Sequence, residues 1–230
     1  MGGPRRLSSR LEAVACLVPE GCYPADIGSD HAFLPISLVQ RGKVPYAQAV
    51  ENKMGPFMRM KAHVDEAGLS SKIQLTMADG LAELATGVNC LTICGIGGVL
   101  TLDIIHKRKD VLPQIKTIIC DPHRDLVKVR RDITALGYYI SDEKMVYEDK
   151  IYYSIIRFDK GAPEHPYDAL DLAFGPINRK KKEPVYLDWI SATRKMVSDQ
   201  LNKNLPPERR EYYLKLYRAL SSELKGTANK

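Results

Sequence analysis

Short apolar runs of strand length alternate with amphipathic helical patterns through the first two thirds of this 230-residue chain. Five of these runs predict strands, at 22–26, 45–50, 73–77, 90–94 and 115–120. The helical patterns that follow the runs lie at 32–42, 54–68, 99–110 and 124–136. Strands that alternate with helices in this way favour a parallel sheet with helices on both faces. The sequence therefore predicts an α/β fold.

Two further apolar runs, at 138–146 and 151–158, have no helical pattern between them. A turn near Glu148–Lys150 separates them, which predicts an antiparallel hairpin and brings the sheet to seven strands. An additional helix is expected before the first strand, with Ser9 and Glu12 as its capping box.

The pattern changes after residue 165. Helices are predicted at 184–204 and 207–225, and each carries an apolar stripe with a spacing of about 3.5 residues. Such stripes suit two helices that pack along each other as a coiled-coil hairpin. We therefore predict two domains, residues 1–165 and 166–230.

Positive charge is concentrated in the second of these domains. From Asn178 to Lys230 there are thirteen Lys and Arg against six Asp and Glu, although the whole chain carries only +6. This surface suits a polyanion such as RNA, but a solvated helical face can have the same composition. One basic run stands before Tyr186 and Trp189 and is expected to face solvent, namely Arg179, Lys180, Lys181 and Lys182. Cations mixed with aromatic side chains are typical of RNA-binding surfaces.

The chain has five cysteines and no C-x-x-C motif. An odd number without that spacing argues against a disulfide framework and a zinc site, and fits a reducing cytoplasm. The longest apolar stretch, 90–105, contains three glycines and an aspartate and is too short for a membrane span. The first nine residues contain no apolar signal core. We expect a cytoplasmic protein, without metal or membrane contact, that acts as a monomer.

Carboxylates follow three consecutive predicted strands. Asp26 ends the first, Glu51 follows the second, and Asp79 follows the third. Ligands of such sheets bind at the carboxyl ends of the strands, near the point where the strand order reverses. Gly28 stands where a dinucleotide-binding glycine motif begins, but Asp30 occupies the second glycine position. Because acids repel a diphosphate, a nicotinamide dinucleotide is disfavoured.

A ligand with positive charge and a ribose suits these acids better, and S-adenosylmethionine has both. Asp26 can hold its ammonium end, Glu51 can accept both ribose hydroxyls, and Asp79 can accept from the adenine amine. Gly28 lets the backbone pass close to such a ligand. The predicted cofactor site comprises Asp26, Gly28, Ser29, Asp30, His31, Glu51, Asn52, Ala78, Asp79, Gly80 and Gly95.

Several segments resemble the bacterial tRNA (adenine-22-N1) methyltransferases. They are "LSSRLEAVA", "ADIGSDHAFLPISLVQRG", "GLSSKIQLTMADGL", "TICGIGG" and "FGP", of which "DIGSDHAFLP" is quite specific. The resemblance covers nearly the whole chain and implies a Rossmann-like class I methyltransferase domain followed by a helical coiled-coil domain. It also implies S-adenosylmethionine as the methyl donor and N1 of adenine 22 in tRNA as the acceptor.

Two places depart from the family pattern. Ile96 stands where a methionine is usual, and the loop Cys120–Arg124 carries Asp121 and His123 where the family usually has Gln and Asn around Pro122. No role is therefore assigned to this loop.

Adenine N1 already has a lone pair, so its methylation requires alignment and exclusion of water rather than a general base. The glycine turn after the fourth strand, with Gly95 and Gly97, either lets a flipped base approach or is simply a tight turn. Asp30 either balances the charge that develops on the base or caps the next helix, and His31 either lines the pocket or caps that helix. The resemblance places Arg10 near the mouth of the site, as a phosphate contact or a plain surface residue.

The leading hypothesis is a tRNA N1-adenine methyltransferase. Its expected catalytic positions are Asp30, Gly95 and Gly97, and its expected tRNA contacts are Arg10, Arg179, Lys180, Lys181 and Lys182. A methyltransferase for another RNA or for a small molecule is the alternative among enzymes. A nonenzymatic RNA-binding protein with a vestigial pocket is the alternative from another class, and the acids at all three strand tips argue against it.

Overall fold

The computed structural model describes residues 6–225 of the chain. The chain divides into two compact units, one ending at Pro166 and the other beginning at Tyr167, whereas the sequence analysis placed the boundary after residue 165. Over the described range, no helix is both long enough and apolar enough to cross a membrane.

The first unit is built on a seven-stranded sheet. Its strands are β1 (Pro24–Ile27), β2 (Ala47–Glu51), β3 (Ile73–Met77), β4 (Cys90–Cys94), β5 (Thr117–Asp121), β6 (Tyr138–Glu148) and β7 (Ile151–Lys160). They lie in the order β3-β2-β1-β4-β5-β7-β6. β1 to β5 pair in parallel, whereas β7 is antiparallel to both β5 and β6. The predicted seven-stranded α/β fold, which ends in a hairpin, is confirmed.

The helices of this unit are α1 (Ser9–Leu17), α2 (Phe33–Gln40), α3 (Met54–Glu66), α4 (Gly98–Lys107) and α5 (Leu126–Ala135). The bounds of α2 to α5 lie within three residues of the predicted ones. After α4 the chain forms a 3-10 helix at Lys109–Gln114 rather than further α-helix. Pro113 lies in this segment and has no amide hydrogen to donate to an α-helical hydrogen bond.

The start of α1 differs from the predicted capping box. Ser8 is the N-cap, and its hydroxyl accepts a 3.3 Å hydrogen bond from the Leu11 amide. The Ser9 amide instead donates to Glu148 Oε1 at 2.7 Å, and Glu12 pairs with Arg41. The Ser9–Glu12 capping box was therefore wrong, because both residues have partners in other elements.

The strands β1, β2 and β5 are buried along their whole length. This is expected of parallel strands that are covered on both faces. Helices α1, α2 and α3 contribute Val14, Ile36 and Met60 to the core. Ligands can consequently reach these three strands only at their ends.

The second unit is helical, with α6 (Ala169–Phe174), α7 (Pro176–Lys181), α8 (Pro184–Leu201) and α9 (Pro207–Lys225). Helices α8 and α9 pack against each other, and Ile190, Val197 and Leu220 are fully buried. The predicted helical hairpin is confirmed. The short helix α6 was not predicted. It begins with a capping box, in which Asp168 is the N-cap and Asp171 its partner.

Candidate active site

The carboxyl ends of β1 and β4 mark the point where the strand order reverses. A crevice opens at such a point in doubly wound sheets. Here two adjoining pockets of about 370 and 390 Å³ lie at this edge of the sheet. Both are lined by Gly28, Asp30 and Ile96, so they form one continuous cleft.

Asp26, in the first pocket, is held in place by two hydroxyl groups. Thr92 Oγ1 donates to its Oδ1 at 2.7 Å, and Ser29 Oγ donates to its Oδ2 at 2.6 Å. Burial raises the pKa of Asp26 above its ordinary value, although these two hydrogen bonds act in the opposite direction. A carboxylate has about four lone-pair positions, so Asp26 can still accept from a ligand.

Glu51, at the end of β2, is the main acid of the second pocket. Its Oε1 accepts from the amides of Asn52 at 2.9 Å and Lys53 at 3.0 Å. In the described part of the chain, no residue donates a hydrogen bond to its Oε2, so this oxygen can accept from a ligand. Asp79 lies across this pocket and accepts a 3.5 Å hydrogen bond from the Asn52 side chain. The remaining wall is largely apolar, with Ile27, Val50, Pro56, Leu100 and Ile104.

The cleft brings together every position that was predicted to bind the cofactor. The first pocket is lined by Asp26, Gly28, Ser29, Asp30, His31 and Gly95. The second is lined by Glu51, Asn52, Ala78, Asp79 and Gly80. Within residues 6–225, no three His, Cys, Asp or Glu side chains lie together in a group that could hold a metal ion.

Neither Asp30 nor His31 caps the helix that follows them. The N-cap of α2 is Ala32, and no side chain bonds the helix end there. The half-exposed carboxylate of Asp30 instead accepts a 2.8 Å hydrogen bond from Arg59. The His31 ring stacks on Phe33, with 4.8 Å between ring centroids. Both residues line the cleft, so the capping alternatives are excluded.

The three glycines after β4 have different structural roles. Gly95 has φ +74°, a conformation that favours glycine. Gly97 is the N-cap of α4 with φ −71°, and a Cβ there would meet nothing within 4 Å. A Cβ on Gly98 would lie 2.5 Å from the Arg124 carbonyl oxygen and 2.7 Å from a methyl group of Val129. Close packing between α4 and α5 therefore requires Gly98, which the sequence analysis did not single out.

An ion pair between Arg10 and Asp121 lies at the wall of the first pocket. Arg10 lines the pocket, while the Asp121 side chain at the end of β5 is fully buried. Arg10 Nη1 donates to Asp121 Oδ2 at 2.5 Å, and the Gly95 amide donates to Asp121 Oδ1 at 2.6 Å. Asp121 was not among the predicted site residues, although a fourth acid at the carboxyl end of a parallel strand was a usable signal.

Two members of the predicted basic run are engaged within the second unit. Arg179 pairs with Asp171 at 2.5 Å and with Glu223 at 2.9 Å. Lys182 Nζ donates to the Glu223 carbonyl oxygen at 2.5 Å. The expectation that the whole run faces solvent is therefore wrong for Arg179 and Lys182.

Lys180 and Lys181 are the exposed members of the run. The aromatic residues after them do not form an exposed stacking surface. Tyr186 is fully buried and its hydroxyl bonds Glu223, and Trp189 packs against Tyr186 and Phe174. Tyr186 is thus a core residue of the helical unit.

A separate polar groove of about 320 Å³ lies between α8 and α9. It is lined by Ser191, Arg194, Lys195, Ser198, Asp199 and Tyr217. The groove gives the helical unit a second group of cations and hydroxyls.

The fold and the cleft are those of a class I methyltransferase. A family model described as a methyltransferase domain matches residues 7–156, most of the first unit. The seven-stranded sheet and the acidic cleft at its switch point agree with that assignment.

Sequence and structural relatives narrow the assignment. The tRNA (adenine(22)-N(1))-methyltransferase of Bacillus subtilis (strain 168) is 35% identical in an alignment of 187 residues that covers 79% of this chain and 79% of that protein. A Streptococcus pneumoniae protein assigned to the tRNA (m1A22) methyltransferases, solved with S-adenosyl-L-methionine, superposes with a TM-score of 0.87 at 31% identity and covers 95% of this chain and 100% of that chain. TrmK of M. capricolum, solved with the cofactor product S-adenosyl-homocysteine, gives a TM-score of 0.81 at 27% identity, over 96% and 97%. The chain belongs to the tRNA (adenine-22-N1) methyltransferase family.

Proposed function

We propose that this protein transfers a methyl group from S-adenosylmethionine to N1 of adenine 22 in tRNA. The observation that carries the proposal is the acidic edge of the sheet, where Asp26, Glu51 and Asp79 line one cleft. Such a cleft suits a ligand with an ammonium, a sulfonium and a ribose, and it repels a diphosphate. The Streptococcus pneumoniae and M. capricolum relatives, which were solved with S-adenosylmethionine and its product, support the same cofactor.

The donor set of the cleft fits this cofactor. Glu51 would hold the ribose hydroxyls through Oε2, and Asp79 would accept from the adenine amine. Leu100 and Ile104 offer apolar surface to the adenine ring. Asp26 would hold the ammonium end. When bound, the cofactor supplies the electrophilic methyl carbon on its sulfonium.

The first pocket would receive the target base beside the end of the cofactor that Asp26 holds. Phe33, Asp30, Gly95 and Arg10 are among the residues that line this pocket. N1 of adenine attacks with its own lone pair, so these residues align the base and exclude water rather than remove a proton. Asp30 balances the positive charge that the base acquires.

The helical unit is the proposed holder of the tRNA backbone. Lys180 and Lys181 are exposed on it, and Arg194 and Lys195 line the groove between α8 and α9. Phosphate contacts by such side chains provide affinity that is independent of sequence and falls with salt.

The direct test is nucleoside mass spectrometry. The protein is incubated with unmodified tRNA and S-adenosylmethionine, and the digest is separated under conditions that prevent rearrangement of N1-methyladenosine to its N6 isomer. We expect N1-methyladenosine, and we expect its loss when adenine 22 of the tRNA is replaced by guanine.

The matched control is the same tRNA with a different adenine replaced, which should be methylated as before. Formation of N6-methyladenosine alone would overturn the proposed chemistry. Methylation that persists without adenine 22 would overturn the proposed position.

A further inference from the structure

Asp121 links two walls of the first pocket without lining the pocket itself. Its side chain is fully buried, and its two oxygens have different donors, one from α1 and one from the turn after β4. Oδ2 accepts from Arg10 Nη1 at 2.5 Å, and Oδ1 accepts from the Gly95 amide at 2.6 Å. One carboxylate therefore fixes a side chain and a backbone segment that both face the cleft.

The position of Asp121 follows from the sheet. In the parallel ladder it lies opposite Cys94, the last residue of β4, so its side chain reaches the turn that begins at Gly95. The helix α1 brings Arg10 to the same point, and the Arg10 guanidinium also lies over the Tyr153 ring, 5.5 Å from its centroid. The guanidinium is thus held by β5 and β7 together.

The Arg10 guanidinium is charged over the whole physiological pH range. Burial alone would lower the pKa of Arg10, but the charge and hydrogen bond of Asp121 outweigh it, so this pKa lies above its ordinary value. A buried carboxylate that loses its partner is strongly destabilising. Arg10 consequently stays charged and stays at the pocket wall, although 22% of its side chain is exposed.

We propose that Asp121 is a positioning residue for methyl transfer, which holds the Arg10 guanidinium and the Gly95 amide in the orientation that receives the target nucleotide. This inference rests on the proposed function and adds to it the residue that sets the geometry of the acceptor pocket. Asp121 acts through its two partners and does not touch the substrate.

Two substitutions separate the two bonds. Asp121→Asn keeps an oxygen acceptor for the Gly95 amide but removes the negative charge that holds Arg10. Asp121→Ala removes both. We expect Asp121→Asn to lower kcat/KM for tRNA by about 10- to 100-fold, the range for one hydrogen bond to a charged group, with unchanged S-adenosylmethionine affinity. Asp121→Ala should also weaken cofactor binding, because Gly95 borders the cofactor.

A double-mutant cycle tests whether Asp121 acts through Arg10. After Arg10→Lys, the further change Asp121→Asn should have little effect on kcat/KM, because the paired geometry is already absent. Asp159→Asn is the matched control, because Asp159 is also paired with an arginine on this sheet. It lies beside Thr117 at the start of β5, whereas the pocket lies at the opposite, carboxyl end of that strand. This control should leave kinetics and cofactor affinity at the wild-type level.

The alkylation rate of Cys94 depends on the same charges and can be measured without methylation activity. Burial raises its pKa well above the ordinary value, the Asp121 and Asp26 carboxylates raise it further, and Arg10 lowers it. Asp121→Asn should therefore lower the Cys94 pKa and speed its alkylation by iodoacetamide at a fixed alkaline pH, as followed by peptide mapping. Asp159→Asn should not change this rate.

These measurements distinguish failure of the proposed function from failure of the positioning role of Asp121. If wild-type protein methylates no tRNA, the proposed function fails, and the cofactor-affinity and Cys94 measurements still decide whether Asp121 organises the pocket. If wild-type protein is active and Asp121→Asn matches it in kcat/KM, the positioning role is overturned. Independent, additive effects of the Arg10 and Asp121 substitutions would overturn it as well.

Discussion

Thr92 on β4 and Asp26 on β1 face each other across the strand pair at which the sheet order reverses, and Thr92 Oγ1 donates a 2.7 Å hydrogen bond to Asp26 Oδ1. With Ser29 on the other oxygen, the carboxylate keeps one orientation before a ligand arrives. The protein thus holds a buried, oriented carboxyl group in the first pocket, where burial disfavours its ionised form. Preorganised charge of this kind favours ligand binding and lowers the stability of the ligand-free fold.

The first prediction concerns Asp26→Asn, which removes that charge. Because burial raises the pKa of Asp26, the folded state disfavours the ionised form, and the ligand-free variant should be more stable than wild type at pH 7. The same variant should bind S-adenosylmethionine more weakly. Thermal unfolding and calorimetry would show the two opposite changes, and a decrease in both stability and affinity would contradict the role given to this charge.

The pH dependence of folding stability tests the same property of Asp26 independently. A folded-state pKa above the unfolded-state value, which is about 4 for aspartate, means that the folded protein binds more protons between the two values. Wild-type stability should therefore fall as pH rises through that window, and this contribution should be absent from Asp26→Asn. Denaturant unfolding at several pH values compares the two slopes.

The second prediction concerns Glu51→Gln. Glutamine keeps an oxygen for the amides of Asn52 and Lys53 but removes the charge offered to the ribose. Affinity for S-adenosylmethionine should fall by roughly 1.5–3 kcal/mol, and the unfolding temperature should change little. Glu66→Gln, an exposed change at the end of α3, is the control for calorimetry. Equal affinity of all three proteins would remove Glu51 from the ribose site.

Much of the cleft could be predicted from the sequence because its acids follow strands directly. Parallel strands end at one edge, so Asp26, Glu51 and Asp79 had to lie near each other once the strands were recognised. Gly28 and Asp30 follow the first strand within a few residues and share that constraint. The structure then added the distances between these side chains and their hydrogen-bond partners.

The parts that the sequence did not reveal depend on partners far along the chain. Asp121 and Arg10 are 111 positions apart, and Arg179 and Glu223 are 44 apart. No local pattern distinguishes a buried, paired arginine from an exposed one, which is why Arg179 was expected to face solvent. Gly98 was missed for a similar reason, since the atoms that exclude a side chain there belong to the segment around α5.

The third prediction separates the glycines after β4. Gly98→Ala should destabilise the protein by about 1–3 kcal/mol, because its Cβ would overlap the Arg124 carbonyl and Val129. Gly97→Ala should leave stability nearly unchanged, since that Cβ has free space. If Gly97 allows the target base to approach, Gly97→Ala should nevertheless slow tRNA methylation. Denaturant unfolding and single-turnover methylation measure the two effects, and a Gly97→Ala enzyme with wild-type rate would leave Gly97 without a catalytic role.

The last prediction concerns the exposed lysines of the helical unit. Replacing both Lys180 and Lys181 with glutamine removes two positive charges from exposed positions, so stability should change little. Affinity for tRNA should fall, and the negative slope of log affinity against log salt should become shallower by about 1 for each phosphate that the variant no longer neutralises. The double change Lys72→Gln and Lys116→Gln removes the same charge at exposed positions just before β3 and β5, the opposite edge from the cleft, and should leave the slope unchanged. Filter binding of tRNA across a salt series compares the two variants with wild type. If the Lys180–Lys181 variant behaves like its control, these lysines do not contact tRNA phosphates, and the groove at Arg194 becomes the surface to test.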